Sequence, residues 1–563
     1  MRIGDGEPLD FLHDLLDPDY AFIGGDFASC LNARGVYESR RFVLRLNPRI
    51  HNLVDSIVDK SERGEDEFTS EEIQAYSTYL HETIHWWQHK GSISGFIRSM
   101  LPPLQAHVNL ENLCSIVDDV GPKKSIKTLG LQGELGMLAA DSPVGSLANS
   151  VTNNFMDTEF YLLLTMDPAR FDIQIYKDSY FESAGHSFLV TYDHVLGFLR
   201  TIFDEEGLVI PDPQPIEVNL TNLKANRMEG YYLGTPIVRA PLGLHQIYEG
   251  QARFNQLQFV GFAGEGLTFE QARTGGLLED VYGEAFKVFL SLTNSTEPMN
   301  VDDPLVALFL LVCDLSINPT AGFPIPIEDY QYFFRDADPG IRFAILCKVI
   351  GDELPDLRSA IVDYSAEEYW EVTDRLCDAA GFDGYKDVLK IIRRWRLRQP
   401  KIERLIEEHE KFAFSSDNIV PRVLFSEFLK YNEDKLDRPD FFCWPGYWLT
   451  HATSKSDLDL WLFHLSLFSD REDDGRIFAR KLRDHEEEKV LVVFNQFFAA
   501  VVLYDLTRQW VLQSGDFVLN YSWLVLPRDE DEFNDRISAI FEKHYGSRLE
   551  AFTSLQPPVV PNV

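Results

Sequence analysis

The alternation of apolar and polar residues predicts a mainly helical chain. Apolar residues recur every three or four positions between residues 73 and 87, which predicts a helix with one buried stripe: Ile73, Tyr76, Leu80, Ile84 and Trp87. Thr69 followed by Glu72 fits a capping box, so we expect this helix to begin there and to end at Gly91. Similar patterns predict helices at about 50–59, 159–165, 186–203, 242–260, 268–292, 305–315, 341–351, 366–380, 386–398, 456–468 and 531–544.

Breaks between these patterns divide the chain into four regions. Residues 1–68 contain a strand-like segment at 42–46 and are expected to pack on the core. Residues 69–300 form the main domain, with an insertion at about 92–225, and a polar connector follows. Residues 301–400 make a helical region and residues 401–563 a mainly helical C-terminal region. The predicted fold class is α+β, with helices predominating.

Charge and composition exclude several classes of protein. A chain of 563 residues, 45% hydrophobic, can bury a large core. Asp and Glu outnumber Lys and Arg by 89 to 52, and the resulting net charge of -37 repels phosphate backbones and anionic membrane surfaces. We therefore expect neither a nucleic-acid partner nor a membrane partner.

Cysteine usage and the N-terminus favour a cytoplasmic protein. The six cysteines stand singly, without Cys-x-x-Cys pairs, which predicts reduced thiols. The N-terminus lacks a basic start followed by an apolar stretch, so no secretory signal is expected. The most apolar run, 490–504, includes Asn495 and Gln496 and is shorter than the ~20 residues that cross a bilayer. It predicts a buried helix or strand.

The predicted helix at 69–91 carries the sequence His-Glu-Thr-Ile-His at positions 81 to 85. His81 and His85 lie one helical turn apart on one face, where both imidazoles can bind the same ion. Glu82 can then reach a neighbouring water without binding the metal, which is the position of a general base. The pattern predicts one Zn²⁺ ion and a hydrolytic reaction. Catalytic zinc needs a third protein ligand.

Several residues compete to be that ligand. His89 extends the row, but eight residues at ~1.5 Å each place it ~12 Å from His81, too far unless the helix breaks after His85. His186 and His194 are either cleft residues or structural histidines. The acidic candidates are Glu111, Glu134, Glu229 and Glu249.

A second motif favours Glu249. The sequence Glu-Gly-Gln-Ala begins at Glu249 on a later predicted helix, and with the first motif it resembles the gluzincin branch of the zincin metallopeptidases. The resemblance implies that His81, His85 and Glu249 bind zinc and that Glu82 activates water. It also implies a zincin-like core with a large insertion, since Glu249 lies 164 positions after His85.

Three neighbours of Glu249 are candidates for supporting roles. His245 and Arg253 lie one turn to either side of it, and Tyr248 is adjacent. Each is placed to orient the ligand or to donate a hydrogen bond where negative charge develops, and we expect His245 and Tyr248 to be catalytic.

The expected function is a zinc metallopeptidase that hydrolyses a peptide bond in a specific protein substrate. The long region beyond residue 304 would select that substrate or bind a regulatory protein. Two alternatives stay open: a non-catalytic scaffold or sensor with a structural or degenerate metal site, and a metal hydrolase of a non-peptide amide. No cysteine lies near His81 in sequence, which favours an open catalytic site over a closed structural one.

Overall fold

Helices form most of the fold. The computed structural model describes residues 1–4, 35–38, 42–139, 142–170, 175, 178–236, 239–451, 454–470, 477–478, 485–519, 521 and 530–556. Within these ranges helices predominate and strands are few and short, which confirms the predominantly helical α+β prediction. About half of the predicted N-terminal region, including Cys30, lies outside the described residues.

The described helices and strands follow one another in this order. The helices are α1 (Pro48–Glu62), α2 (Ser70–Gly91), α3 (Ile93–Val108), α4 (Leu110–Val120), α5 (Ile126–Glu134), α6 (Val144–Met166), α7 (Ala184–Phe203), α8 (Gln214–Ala225), α9 (Leu244–Ala263), α10 (Phe269–Thr274), α11 (Val281–Leu292), α12 (Pro304–Ser316), α13 (Phe333–Ala337), α14 (Pro339–Asp352), α15 (Ala366–Ala380), α16 (Tyr385–Arg398), α17 (Pro400–Glu410), α18 (Ile419–Asp437), α19 (Pro439–Cys443), α20 (Pro445–His451), α21 (Lys455–Phe463), α22 (Glu487–Leu512) and α23 (Glu530–Tyr545). The strands are β1 (Arg2–Ile3), β2 (Gly35–Glu38), β3 (Val43–Leu46), β4 (Glu67–Phe68), β5 (Lys123–Lys124), β6 (Phe468–Asp470), β7 (Ile477–Phe478) and β8 (Thr553–Ser554).

The helix that carries the histidine motif, α2, lies at the centre of the fold. Its start is fixed by the predicted capping box: the Glu72 N–H donates to Thr69 Oγ1 at 3.1 Å, and the Thr69 N–H donates to Glu72 Oε2 at 3.0 Å. The helix ends at Gly91, as predicted. It packs against α1, α3, α9, α18 and β2. It is therefore buried on every side, with Glu71 alone half-buried, and not only along the predicted stripe.

Polar partners from other helices make this complete burial tolerable, because a buried polar group is costly unless it is bonded. Lys90 Nζ lies 2.9 Å from Glu427 Oε2 of α18 and 3.0 Å from His464 Nδ1. Ser77 Oγ accepts a hydrogen bond from Gln256 of α9 at 3.2 Å. The polar residues of α2 thus fix its neighbours in place.

A four-stranded sheet covers one flank of α2. Its order is β2-β3-β6-β7, in which β3 and β6 are parallel and the other two pairs are antiparallel. The predicted helix at 456–468 was wrong at its end: α21 stops at Phe463, and Phe468 begins β6. Pairing with β3, far away in sequence, decides the structure there. β1 pairs with β4 and β5 with β8, each in parallel.

The main apolar core is continuous across the predicted region boundaries. It contains side chains from α2, α9, α12, α15, α18 and the start of α22, and also from α3, α6 and α7 within the predicted insertion. α12 is apolar and buried on all sides, so it needs cover both from helices that precede residue 300 and from helices that follow residue 400. A second core joins α4 to α6 with α22 and α23. Trp444 is fully buried and donates to the Ala307 carbonyl at 3.0 Å.

Two long predicted elements differ from the observed ones. The helix predicted at 268–292 is broken into α10 and α11, because Gly276 and Asp280 adopt positive φ values of 73° and 47°. The apolar run at 490–504 lies within α22, which has 26 residues and not fewer than 20. By length and composition α22 is the one helix of the described chain that could cross a membrane; half of its most apolar stretch is buried within the fold.

Candidate metal centre

Two helices bring the candidate metal ligands together. His81 and His85 occupy adjacent turns of α2, and Glu249 lies in the second turn of α9. Contacts of Ser77 with Gln256, and of Gln88 with Tyr248 and Gln251, show that the two helices run antiparallel. These contacts lie on either side of the ligands.

Gly250, the residue after Glu249, allows neighbouring helices to pack closely against α9. A Cβ atom at Gly250 would lie 3.1 Å from the Ala285 Cβ of α11 and 3.4 Å from the Phe309 ring of α12. Larger residues at position 250 would push these helices away. The glycine of the second motif therefore has a packing role, whereas the Glu249 side chain faces α2.

The three ligand atoms form a nearly equilateral triangle. His81 Nε2 and His85 Nε2 are 3.2 Å apart, and each lies 3.4 Å from Glu249 Oε2. Among the described residues, these side chains are the one group of three or more His, Cys, Asp or Glu whose ligand atoms come this close together. All three belong to the set expected from the sequence.

The size of the triangle fits a tetrahedral metal ion. Ligands about 2.1 Å from zinc, at the tetrahedral angle, are about 3.4 Å from one another. A direct charge-assisted hydrogen bond between an imidazolium and a carboxylate is shorter, about 2.7 to 2.9 Å. The spacing therefore suits a central ion better than a direct ion pair, and three protein ligands leave a fourth position open.

Gln88 orients the second histidine. His85 Nδ1–H donates to Gln88 Oε1 at 2.8 Å, which leaves the lone pair of Nε2 directed at the triangle. The Gln88 amide nitrogen donates to the Tyr248 carbonyl at 3.0 Å and to Gln251 Oε1 at 2.9 Å. One buried amide thus sets the tautomer of a ligand and also joins α2 to α9.

The electrostatics of the ligands are strongly coupled. Burial lowers the pKa of His81 to about 4, so this imidazole is neutral. Burial alone would lower the pKa of His85 too, but the Glu249 carboxylate outweighs it and raises that pKa to about 9. Burial disfavours the charged form of Glu249, yet the positive charge of His85 holds its pKa well below the usual range. Without metal, His85 is therefore protonated and positively charged, His81 is neutral and Glu249 is ionised.

Glu82 is buried in α2, next to His81 in the sequence. Burial raises its pKa to about 7, against the influence of His85. The backbone N–H of Tyr37 in β2 donates a hydrogen bond to its carboxylate. The Tyr37 ring lies 6.4 Å from that of His85 and stacks on His89 at 5.9 Å. Strand β2 thus lies against the face of α2 that carries Glu82.

Arg253 and Tyr282 form the opposite wall. The Arg253 guanidinium is buried and lies 3.9 Å from the centre of the Tyr282 ring, and that ring is 5.9 Å from His81. The charge of Arg253 lowers the pKa of both His81 and Glu82. The arginine is therefore close enough to act on the cluster electrostatically.

The structure does not bring His245 and Tyr248, the two residues near Glu249 that we expect to be catalytic, to the metal ligands. His245 lies in the first turn of α9, where its side chain is exposed. Tyr248 is buried, but its hydroxyl lies 3.4 Å from Ser92 Oγ and its ring packs edge-on against His89 at 5.5 Å. Both placements give no support to direct catalytic roles.

The other ligand candidates lie elsewhere. α2 continues unbroken through His89, which is not part of the cluster. Exposed positions are occupied by Glu111, Glu134 and Glu229. His186 Nε2 is 3.2 Å from Asp157 Oδ2, and burial lowers the pKa of His194 to about 4. Neither histidine belongs to the metal cluster.

Sequence reasoning missed four residues around the site: Tyr37, Gln88, Gln251 and Tyr282. One of them had a local signal. Gln88 follows His85 by three positions on a predicted helix, where it can reach the outer nitrogen of the ring. The other three depend on contacts between distant segments.

Comparison with protein-family models, with curated proteins and with solved structures found no match to this chain.

The first prediction concerns the third ligand. Glu249→Ala should lower zinc affinity by more than the roughly 10- to 100-fold typical of changing a residue behind a ligand, because it removes a ligand atom. Glu229→Ala, at an exposed glutamate, is the control and should bind like the wild type. Zinc binding is measured by competition with a chromophoric chelator. Equal losses in the two variants would contradict this ligand assignment.

The second prediction concerns Gln88. Gln88→Ala should weaken zinc binding about 10- to 100-fold, because His85 loses the bond that orients it. Gln74→Ala changes another buried glutamine of α2, one bonded to Ser70 within the same helix, and should leave the affinity unchanged. If both variants bind zinc like the wild type, Gln88 does not position the ligand.

The third prediction concerns pH. Because the pKa of His85 is raised to about 9 in the metal-free protein, zinc must displace its proton at any lower pH. Zinc affinity should rise about tenfold per unit between pH 7 and pH 9 and level off above. Calorimetry at pH 8 in buffers of different ionisation enthalpy should detect about one proton released per zinc. Binding without proton release would exclude the His85 arrangement.

Proposed function

We propose that this chain is a zinc-dependent metallopeptidase with a zincin-like core. The observation that carries the proposal is the triangle of His81, His85 and Glu249, whose sides of 3.2 to 3.4 Å suit a tetrahedral ion and exceed those of a direct ion pair. The open fourth position and the neighbouring carboxylate of Glu82 favour a catalytic centre over a closed structural one. The resemblance of the two motifs to those of the gluzincins favours a peptide as the substrate.

Each residue then has a defined task. Zinc, when bound, would supply Lewis-acid chemistry that makes water more acidic and a carbonyl carbon more electrophilic. Glu82 accepts a proton from the attacking water and delivers it to the leaving nitrogen. Gln88 keeps Nε2 of His85 directed inward, and Arg253 adds positive charge where the carbonyl oxygen becomes negative.

The composition and length of the chain also favour a location and a type of partner. The charge of -37 disfavours nucleic acids and anionic membranes as partners. Singly placed cysteines favour the cytoplasm. The many helices beyond residue 304 exceed what holds the ligands, which favours a specific protein substrate or a regulatory partner over general digestion.

The fourth prediction tests catalysis. Glu82→Gln should retain zinc but cleave peptides about 10²- to 10⁴-fold more slowly, because it removes the proton acceptor. Glu71→Gln, at a half-buried glutamate of the same helix that pairs with Arg49, is the matched control and should remain active. The zinc-loaded proteins are incubated with a peptide library derived from a proteome, and new termini are quantified by mass spectrometry.

Two results would contradict the proposal. One is identical cleavage by the wild type and Glu82→Gln, which would remove the general base. The other is zinc-loaded wild type that cleaves no peptide in the library, which would favour the scaffold or a non-peptide substrate.

A further inference from the structure

A cleft of about 530 Å³ opens beside α2, one turn beyond His85. His89 of α2 and Phe42 are among its lining residues. Helices α3, α6 and α22 supply most of its walls. The volume lies within the range of about 300 to 1,000 Å³ that is usual for ligand sites.

The cleft continues the face of α2 that carries the chemistry. Glu82, His85, Trp86 and His89 follow one another at helical spacing, so they form one stripe. The strand residue Tyr37 covers this stripe: its N–H bonds Glu82, and its ring contacts both His85 and His89. His89 lies four residues, or about 6 Å, beyond His85 along the helix. An extended peptide spans this distance with about two residues.

The lining suits an uncharged, apolar group. Its apolar part includes Leu101, Pro102, Leu162, Leu163 and Met166. The charged residues balance in sign, with Arg98 and Arg508 against Glu159 and Asp178. Arg508 binds Glu159 through two hydrogen bonds of 2.8 Å, so that pair presents little net charge to an occupant.

The void on the other side of α2 is too small for a substrate. It measures about 10 Å³ and is lined by Gln88, Asp314 and Lys435 among others. A volume of this size holds one water molecule at most. Of these two spaces beside α2, only the larger cleft can receive a side chain.

We propose that the larger cleft binds a bulky apolar side chain of the substrate, about two residues from the cleaved bond. The substrate class is then a peptide with a residue such as Leu, Met or Phe at that position. This inference rests on the proposed function, because it takes the metal centre as the place of reaction.

Hydroxamates, which bind an accessible zinc ion, test the cleft without requiring the natural substrate. The zinc-loaded full chain is titrated by calorimetry with acetohydroxamate and with 6-phenylhexanohydroxamate, whose apolar arm can reach past His89. Because each buried methylene is worth a factor of about four in binding, the longer probe should bind at least about tenfold more tightly.

A large side chain that fills the cleft should abolish the tighter binding of the longer probe. Leu163 is half-buried in the α6 wall, and in Leu163→Trp the two probes should bind within about threefold of each other, with acetohydroxamate unchanged. Met166→Trp fills the same wall and replaces this variant if thermal unfolding shows that Leu163→Trp is not folded. Leu131→Trp, in a separate cleft beside α5, is the matched control and should keep the full gain.

The outcomes separate the two proposals. If acetohydroxamate binds but the longer probe gains nothing, or if both filled variants keep the gain, the inference about the cleft is overturned and the proposed function stands. If zinc-loaded wild type binds neither probe, the metal has no open position, which overturns the proposed function and this inference with it.

Discussion

The spacing between α2 and α9 is the constraint on which the candidate site depends. Two ligand atoms come from one helix and the third from the other, so a relative shift of an ångström would open the triangle. Two buried hydrogen-bonded contacts flank the ligands: Gln88 joins Tyr248 and Gln251 beyond His85, and Gln256 joins Ser77 before His81. Leaving a buried polar group without its partner costs about 1 to 3 kcal/mol. The register of the two helices is therefore held by buried polar contacts, and breaking one of them would carry that cost.

The same burial explains the charge state of the site. Glu82 and Glu249 place two carboxylates close to neutral His81, and an apolar surrounding disfavours such negative charge. Arg253 and the proton on His85 are the positive charges that balance them. A divalent cation would take over the role of that proton and add one further charge. By this count the two carboxylates are balanced without metal, and the metal-loaded site carries one net positive charge.

Sequence patterns predicted those features of the structure that depend only on residues close together in the chain. The capping box at Thr69 and the four-residue step from His81 to His85 depend only on helix geometry, and α2 has the predicted start and end. The approach of Glu249, 164 positions later, was expected from a resemblance and not from periodicity. Neither the burial of α2 on all sides nor β6 pairing with β3 was predicted, because each depends on segments distant in sequence. The exposed His245 shows that helical spacing identifies a face but not what covers it.

X-ray absorption spectroscopy of the zinc-loaded full chain would test whether His81, His85 and Glu249 bind the metal. We expect a first shell of about four nitrogen and oxygen atoms at about 2.0 to 2.1 Å, with the multiple scattering of two imidazoles. His85→Ala should reduce the imidazole signal by half. A shell that contains sulfur, six oxygens, or no imidazole scattering would show that zinc binds elsewhere, and the site built on α2 and α9 would be contradicted.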